Sequence, residues 1–203
     1  KTSYPMILED EAGYYAVMLP LKRIPEYRFR VTRGSMKETF YDAYECPCQI
    51  TEEEEKAFCA GVYYKAYEKL GAHPGICGGV KGTYFAVWAP NAIRVSVVGD
   101  FDRWDGRRLP MHRMPMSGIF ELFVPGVQAG VSYQYEIKIK GGNVQRKSDP
   151  YGNGTQGAPS VISVVTDLGD FSWQDEAWMK EREKFASREV PVSIYETDVT
   201  EWK

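Results

Sequence analysis

The sequence predicts a mainly β protein: two tandem β-sandwiches, the first truncated, joined by a short helical linker. Three observations predict it. The stretch Gly82–Gly106 alternates apolar and polar residues with the period of strands, broken only by a turn. Elements of the first 45 residues recur about one domain length later. Between the two copies lies one segment with helical spacing and a helix-start signature.

In the first of these, Tyr84, Ala86 and Trp88 alternate with Phe85 and Val87. Ala89-Pro90-Asn91-Ala92 then interrupts the ladder, because Pro90 has no N–H and Asn91 tolerates turn geometry. Ile93, Val95 and Val97 resume the alternation until Gly99-Asp100. Trp88, inside the strand, is read as core. Beyond Gly99, Phe101 and Trp104 sit in a loop with Asp100, Asp102, Arg103, Asp105 and Gly106. An aromatic ring held among polar residues on a loop can receive a flat, amphipathic ligand.

The repeat has three anchors in order. Gly13-Tyr14-Tyr15-Ala16-Val17-Met18-Leu19-Pro20 has the shape of Gly118-Ile119-Phe120-Glu121-Leu122-Phe123-Val124-Pro125. Tyr27–Val31 matches Tyr135–Ile139, and Asp42-Ala43-Tyr44 matches Asp149-Pro150-Tyr151. The offsets are 105 (13 to 118), 108 (27 to 135) and 107 (42 to 149), a domain-sized repeat and not a solenoid period. In the first copy, Arg33-Gly34-Ser35 marks a hairpin to Thr39–Tyr41. Residues 1–48 hold too few strands for a complete sandwich, so the chain is expected to be part of a longer protein.

In the linker, residues 49–78, Thr51 and Glu54 form a capping box, and the consecutive glutamates suit the positive end of a helix. Ala57, Phe58, Val62, Tyr63, Ala66, Tyr67 and Leu70 keep one apolar face; Gly61 splits the run and Gly71 ends it. The second sandwich is expected over 79–168, closed by Val161, Ser163 and Val165. Trp173 and Trp178 then enter a charged helical segment within 169–203, and Val192–Glu196 reads as a short strand.

Composition removes several function classes. Net charge of −3 gives no footprint for nucleic acid, and no apolar run reaches transmembrane length. Cys46, Cys48, Cys59 and Cys77 offer no CxxC pair, and the histidines are His73 and His112, so no metal site is expected. Reduced thiols in a cytoplasmic protein are the expectation. No cofactor motif appears, since Gly78-Gly79-Val80-Lys81-Gly82 lacks the phosphate-binding pattern and reads as a connecting loop. No nucleophile and base pair is discernible, so no catalytic residue is named. Asp100, Asp102 and Asp105 are read as turn formers and not as a carboxylate pair for glycoside hydrolysis.

The run Val87–Arg107, continuing through Ser148-Asp149-Pro150-Tyr151 and Trp173–Met179, resembles the isoamylase-N type carbohydrate-binding module, family 48, that precedes the catalytic barrel of glycogen branching enzymes. Tyr67-Glu68-Lys69-Leu70-Gly71-Ala72-His73-Pro74 is similar to the joint between the two N-terminal modules of that family. The resemblance implies immunoglobulin-like sandwiches, a cytoplasmic role in glycogen synthesis, α-1,4-glucan as partner, and a downstream barrel whose first strand is Val192–Glu196. It also implies a sugar platform: Trp104 as the ring, with Asp102, Glu136 and Lys138 around it. Glu136 falls where the family has a Lys, Lys138 is one step along the same face, and Asn143 or Val144 falls near a second family Trp. A purely structural module, or the front of a debranching or trehalose-forming relative, are the other readings.

Overall fold

The computed structural model describes residues 2–23, 25–157, 161–169, 172–185, 191 and 193–198. The chain divides into two units, Lys1–Thr166 and Asp167–Lys203.

The first unit opens with two separate hairpins. Strand β1 (Ile7–Asp10) pairs with β2 (Tyr14–Ala16), and β3 (Phe29–Arg33) with β4 (Met36–Phe40). Arg33 faces Met36 across Gly34-Ser35, the turn expected from the sequence. Gly34 takes φ +59, which a glycine adopts without a Cβ penalty. These strands leave Ile7, Tyr14, Tyr15, Met36 and Phe40 exposed.

Helix α1 (Glu52–Cys59) starts as its sequence requires. Thr51 Oγ1 accepts from the Glu54 N–H at 3.2 Å, and Glu54 Oε2 accepts from the Thr51 N–H at 2.9 Å. Gly61, at φ +73, ends the helix; a single 3₁₀ turn follows at Ala66–Glu68. Gly71, at φ +110, opens the next strand.

That strand, β5 (Gly71–Cys77), lies within the segment expected as linker. The sandwich therefore takes in residues upstream of Gly79, and His73 is a strand residue whose Nε2 lies 2.9 Å from the Leu70 carbonyl. One sheet runs β5, β6 (Val80–Trp88), β9 (Ile119–Pro125), β8 (His112–Arg113), all antiparallel. In the other, β10 (Ser132–Ile139) is central. It pairs with β7 (Ala92–Gly99) on one side, and on the other with β12 (Ser163–Val164) and β11 (Val144–Lys147) in succession.

The strand alternation decides what lies between the sheets. Phe85, Val87, Phe120, Leu122 and Val124 from the first sheet meet Val95, Val97, Tyr133 and Tyr135 from the second in one buried cluster. Phe85 is fully buried against Tyr133, and truncating such a ring costs about 3–5 kcal/mol. The outer face of the first sheet is also covered. Leu70, Ile50, Ala86, Met114 and Ile119 cluster there, with Phe58 of α1 packed against them. Trp88, read as core, instead lies on this outer face and is 53% exposed. It follows the strand's period onto the side away from the inter-sheet core, where its Nε1 donates to the Ser117 carbonyl at 2.9 Å and Phe58 meets it edge-on.

Two polar joints repeat in step with the sequence repeat. Tyr27 Oη donates to Asp42 Oδ2 at 2.6 Å while Asp42 Oδ1 accepts the Tyr44 N–H. Tyr135 and Tyr133 donate to Asp149 Oδ2 at 3.1 and 2.7 Å while Asp149 Oδ1 accepts the Tyr151 N–H.

The expectation of four reduced thiols is corrected: Cys46 and Cys77 form a disulfide, leaving Cys48 and Cys59 free. The segment Tyr44–Ile50 runs beside this sheet, with Tyr44 Oη donating to the Pro110 carbonyl and the Gln49 and Ile50 N–H groups donating to Glu121. That course brings Cys46 to the end of edge strand β5. Sequence separation hid this proximity.

The second unit contains α2 (Glu176–Phe185), the helix expected around Trp178, whose ring stacks on Phe185. The strand expected at Val192–Glu196 does not form over 193–196; Val192 and 199–203 lie outside the described residues.

Candidate functional site

The loop after β7 covers the outer face of the second sheet. Its first residues make one 3₁₀ turn, Asp100–Asp102. Phe101 goes inward, stacking on Phe85 at 6.3 Å between centroids. Arg103 and Trp104 then take φ +62 and +59 in succession. Left-handed backbone at a side-chain-bearing residue costs about 1–2 kcal/mol each time, so something must hold it.

Asp102 holds it. Its side chain is only 2% exposed, and Oδ1 accepts from the N–H groups of Gly99 and Trp104, both at 2.9 Å. Burial raises its pKa, and the two N–H bonds pull against that without cancelling it. Oδ2 is buried with no hydrogen-bond partner. Asp102, named from the sequence as a group beside the ring, is thus directed into the loop and shapes it. Asp105 also shapes the loop: its Oδ1 accepts the Arg107 N–H, and the paired Arg107 guanidinium holds its carboxyl far below the usual range.

Trp104 stands half-buried. Its Nε1 donates to Asp100 Oδ1 at 2.7 Å, which fixes one edge of the indole. Its carbonyl accepts from Arg146 Nη2 at 2.7 Å, and the Arg146 guanidinium carbon lies 5.9 Å from the ring centroid. Arg146 comes from β11, opposite Glu136 of β10.

Glu136 lies on the same outer face and is mostly buried. Arg94 Nη2 donates to its Oε1 at 2.7 Å, and Arg146 Nε lies 3.7 Å from its Oε2. Gly106 closes over it: a Cβ there would collide with the Glu136 carboxylate. The structure therefore gathers Trp104, Asp102 and Glu136 into one cluster. Lys138 is two register pairs further toward the hairpin tip, opposite Arg94 and Val144. Val144 is exposed and carries no ring.

Reading the sequence placed Asp100 and Gly106 in the loop without their contacts to the indole and to Glu136, and missed Arg94 and Arg146. The β10–β11 hairpin offered a signal for Arg146, since pairing across Gly141-Gly142 sets Lys138 against Val144 and Glu136 against Arg146. Chemically, the cluster is a fixed indole rimmed by fixed cations and carboxylates, an arrangement suited to holding a ligand with an apolar face and a polar edge.

All of these residues fall inside one recognisable module. Residues 69–152 match carbohydrate-binding module 48, the isoamylase N-terminal domain. The module-48 match runs from just before β5 to just after the Asp149 joint. Outside it the likeness continues over the whole chain. A 1,4-alpha-glucan branching enzyme of Thermosynechococcus vestitus is 38% identical over 100% of this chain and 26% of that protein. Another, from Cereibacter sphaeroides, is 42% identical over 94% of this chain and 26% of that protein. The chain thus spans about a quarter of the length of the curated relatives it matches. Among solved structures, ligand-free pullulanase from Klebsiella pneumoniae overlaps 60% of this chain and 12% of that chain at 26% identity and a TM-score of 0.42, a likeness too loose to argue from. The module-48 match and the branching-enzyme relatives together support an N-terminal carbohydrate-binding region.

Proposed function

We propose that this chain is the glucan-holding region of a 1,4-alpha-glucan branching enzyme and that Trp104 is its platform. The observation that carries the reading is the left-handed Trp104, kept partly open while Asp102, Asp100 and Arg146 fix its backbone and indole N–H. A glucose ring offers a C–H face that stacks on indole and hydroxyls that need polar partners at the edge. Covering about 100 Å² of ring stabilises the complex by roughly 2.5 kcal/mol. Loss of rigid-body freedom offsets much of this, so one platform binds at about the millimolar level. On a polymer with many chain ends, weak binding still raises the local concentration of substrate.

In this proposal the parent enzyme cleaves α-1,4 links by a retaining route and passes the glucan to a 6-hydroxyl. No residue of this chain is assigned a part in that chemistry; its role is to hold and orient glucan. Retardation in native gels containing glycogen tests the reading. Trp104→Ala is expected to abolish retardation with the thermal midpoint preserved. Unchanged retardation would sink the platform and favour a module that only packs against other parts of the enzyme.

A further inference from the structure

We propose that the Cys46–Cys77 disulfide is a redox-sensitive clamp: a dithiol reductant opens it in the folded protein and frees the segment that carries the N-terminal hairpins from the edge of the first sheet. The inference does not draw on the glucan reading above and is tested apart from it.

The bond lies outside both hydrophobic clusters, so the sandwich keeps its core with the clamp open. Cys77 ends the edge strand β5, and Cys46 belongs to the segment Tyr44–Ile50 that runs beside that sheet. Both cysteines are partly exposed. Gly78 and Gly79, next after Cys77, are exposed, with nothing within 4 Å of where a Cβ would stand on either. What the bond holds is otherwise lightly tied. Among the described residues, β1 to β4 pair only within their own hairpins. Upstream of Gln49, the small Ala43 side chain reaches the inter-sheet core and the exposed Tyr44 hydroxyl donates to the Pro110 carbonyl. One methyl and one exposed hydrogen bond hold little. The firm anchor comes later, where the Gln49 and Ile50 N–H groups donate to the buried Glu121, and that point marks where the freed part ends.

The exchange needs only the dithiol. One of its thiolates attacks Cys77 Sγ, beside the open turn; the Cys46–Cys77 bond breaks, and Cys46 leaves as a thiolate that takes up a proton. The second thiol of the reductant gives up its proton and attacks its partner sulfur in the mixed disulfide. The reductant closes its own disulfide, and Cys77 leaves and is protonated. Two electrons and two protons pass from the dithiol to the cysteine pair. Cys48, two residues from Cys46, stays out of this exchange. Burial, and then the Glu121 carboxylate, keep its thiol protonated near neutral pH, so it competes poorly for either sulfur.

The test uses the chain with dithiothreitol as the probe, alkylation to count free thiols, and amide hydrogen exchange read peptide by peptide. Without denaturant, reduction is expected to raise the free thiols from two to four while a cooperative melt persists. Exchange over residues 43–50 should speed up about tenfold while β10 keeps its protection. Reoxidation should restore the bond and the slow exchange together. The double variant Cys46→Ser with Cys77→Ser should match the reduced wild type, with or without dithiothreitol. A bond that opens only once the chain unfolds would overturn the proposal, because it would then be a permanent staple. Reduction that leaves residues 43–50 as protected as before would overturn it too, as would reduction that loosens β10 along with the segment. These outcomes are read without any sugar, so they leave the Trp104 platform to its own test.

Discussion

Ser117 donates to Glu55 through both its N–H and its hydroxyl, each at 2.8 Å, across sixty-two positions of sequence. The Met116 N–H donates to the same Oε1 at 2.9 Å, and Glu55 is only 1% exposed. One carboxylate thus fastens α1 to the turn between β8 and β9. Burial alone would raise its pKa; the Ser117 and Met116 bonds outweigh that and lower it.

Glu55→Gln is therefore expected to destabilise the chain by about 1.5–3 kcal/mol at neutral pH, the worth of hydrogen bonds to a charged acceptor. The sign with pH follows from the lowered pKa. The stabilisation is complete above the ordinary glutamate value of about 4.3 and disappears as pH falls through the lower folded value. Urea denaturation at a series of pH values checks this: wild type and variant should converge in acid.

Asp102 has the opposite sense, because its net shift is upward. Its favourable contribution is present below the ordinary aspartate value of about 3.9 and is lost as pH rises through the folded value. Asp102→Asn keeps an acceptor for the Gly99 and Trp104 N–H groups without a buried charge. It should raise the unfolding free energy at neutral pH, with no gain in acid. Asp102→Ala, which leaves both N–H groups unpaired, should cost about 1–3 kcal/mol. Calorimetric melts of the two variants separate these outcomes.

The Cys46–Cys77 disulfide closes a segment with a sequence separation of 31. On the chain-entropy account, breaking it costs about 3–4 kcal/mol. Cys46→Ser should shift the denaturation midpoint accordingly. Thiol titration of the unreduced chain under denaturing conditions should find the two free cysteines, and after reduction all four. In the native chain Cys48 should alkylate more slowly than in the denatured chain. Burial, aided by Glu121, pushes the Cys48 thiol up to about 12, so little thiolate is present near neutral pH.

Tyr27 and Tyr63 are both pushed up to about 12, the first chiefly by its hydrogen bond to Asp42, the second by burial and then Glu54. Raised phenol pKa values stabilise the fold below the ordinary tyrosine value, and this is lost as pH rises from about 10 toward the folded values. Tyrosinate absorbance should lag behind that of free tyrosine, and stability should fall across the same interval. Tyr27→Phe and Tyr63→Phe should each flatten part of that fall.

Much of this fold is legible because it is local. The capping box at Thr51, the breaks at Gly61 and Gly71, the Gly34-Ser35 hairpin and the alternation of Tyr133 and Tyr135 with Gln134 and Glu136 all follow from neighbours in sequence. What stayed hidden depends on tertiary position. Among four consecutive glutamates, only the packed fold picks Glu55 as the buried one. Trp88 keeps its strand period but falls on the face that the linker only partly covers. Arg103 and Trp104 carry no glycine signal for left-handed backbone, because Asp102 and Arg146 impose it from elsewhere. Arg146 itself lies 42 positions from the residue it steadies.

The paired tyrosine and aspartate clasps show how little surrounding structure such a joint requires. In the second half the clasp is sealed beneath a complete sandwich; in the first it closes beside two bare hairpins. In both places one carboxylate takes a phenol on one oxygen and a backbone N–H on the other, so a few residues of the segment itself set the joint and the sheets above it do not.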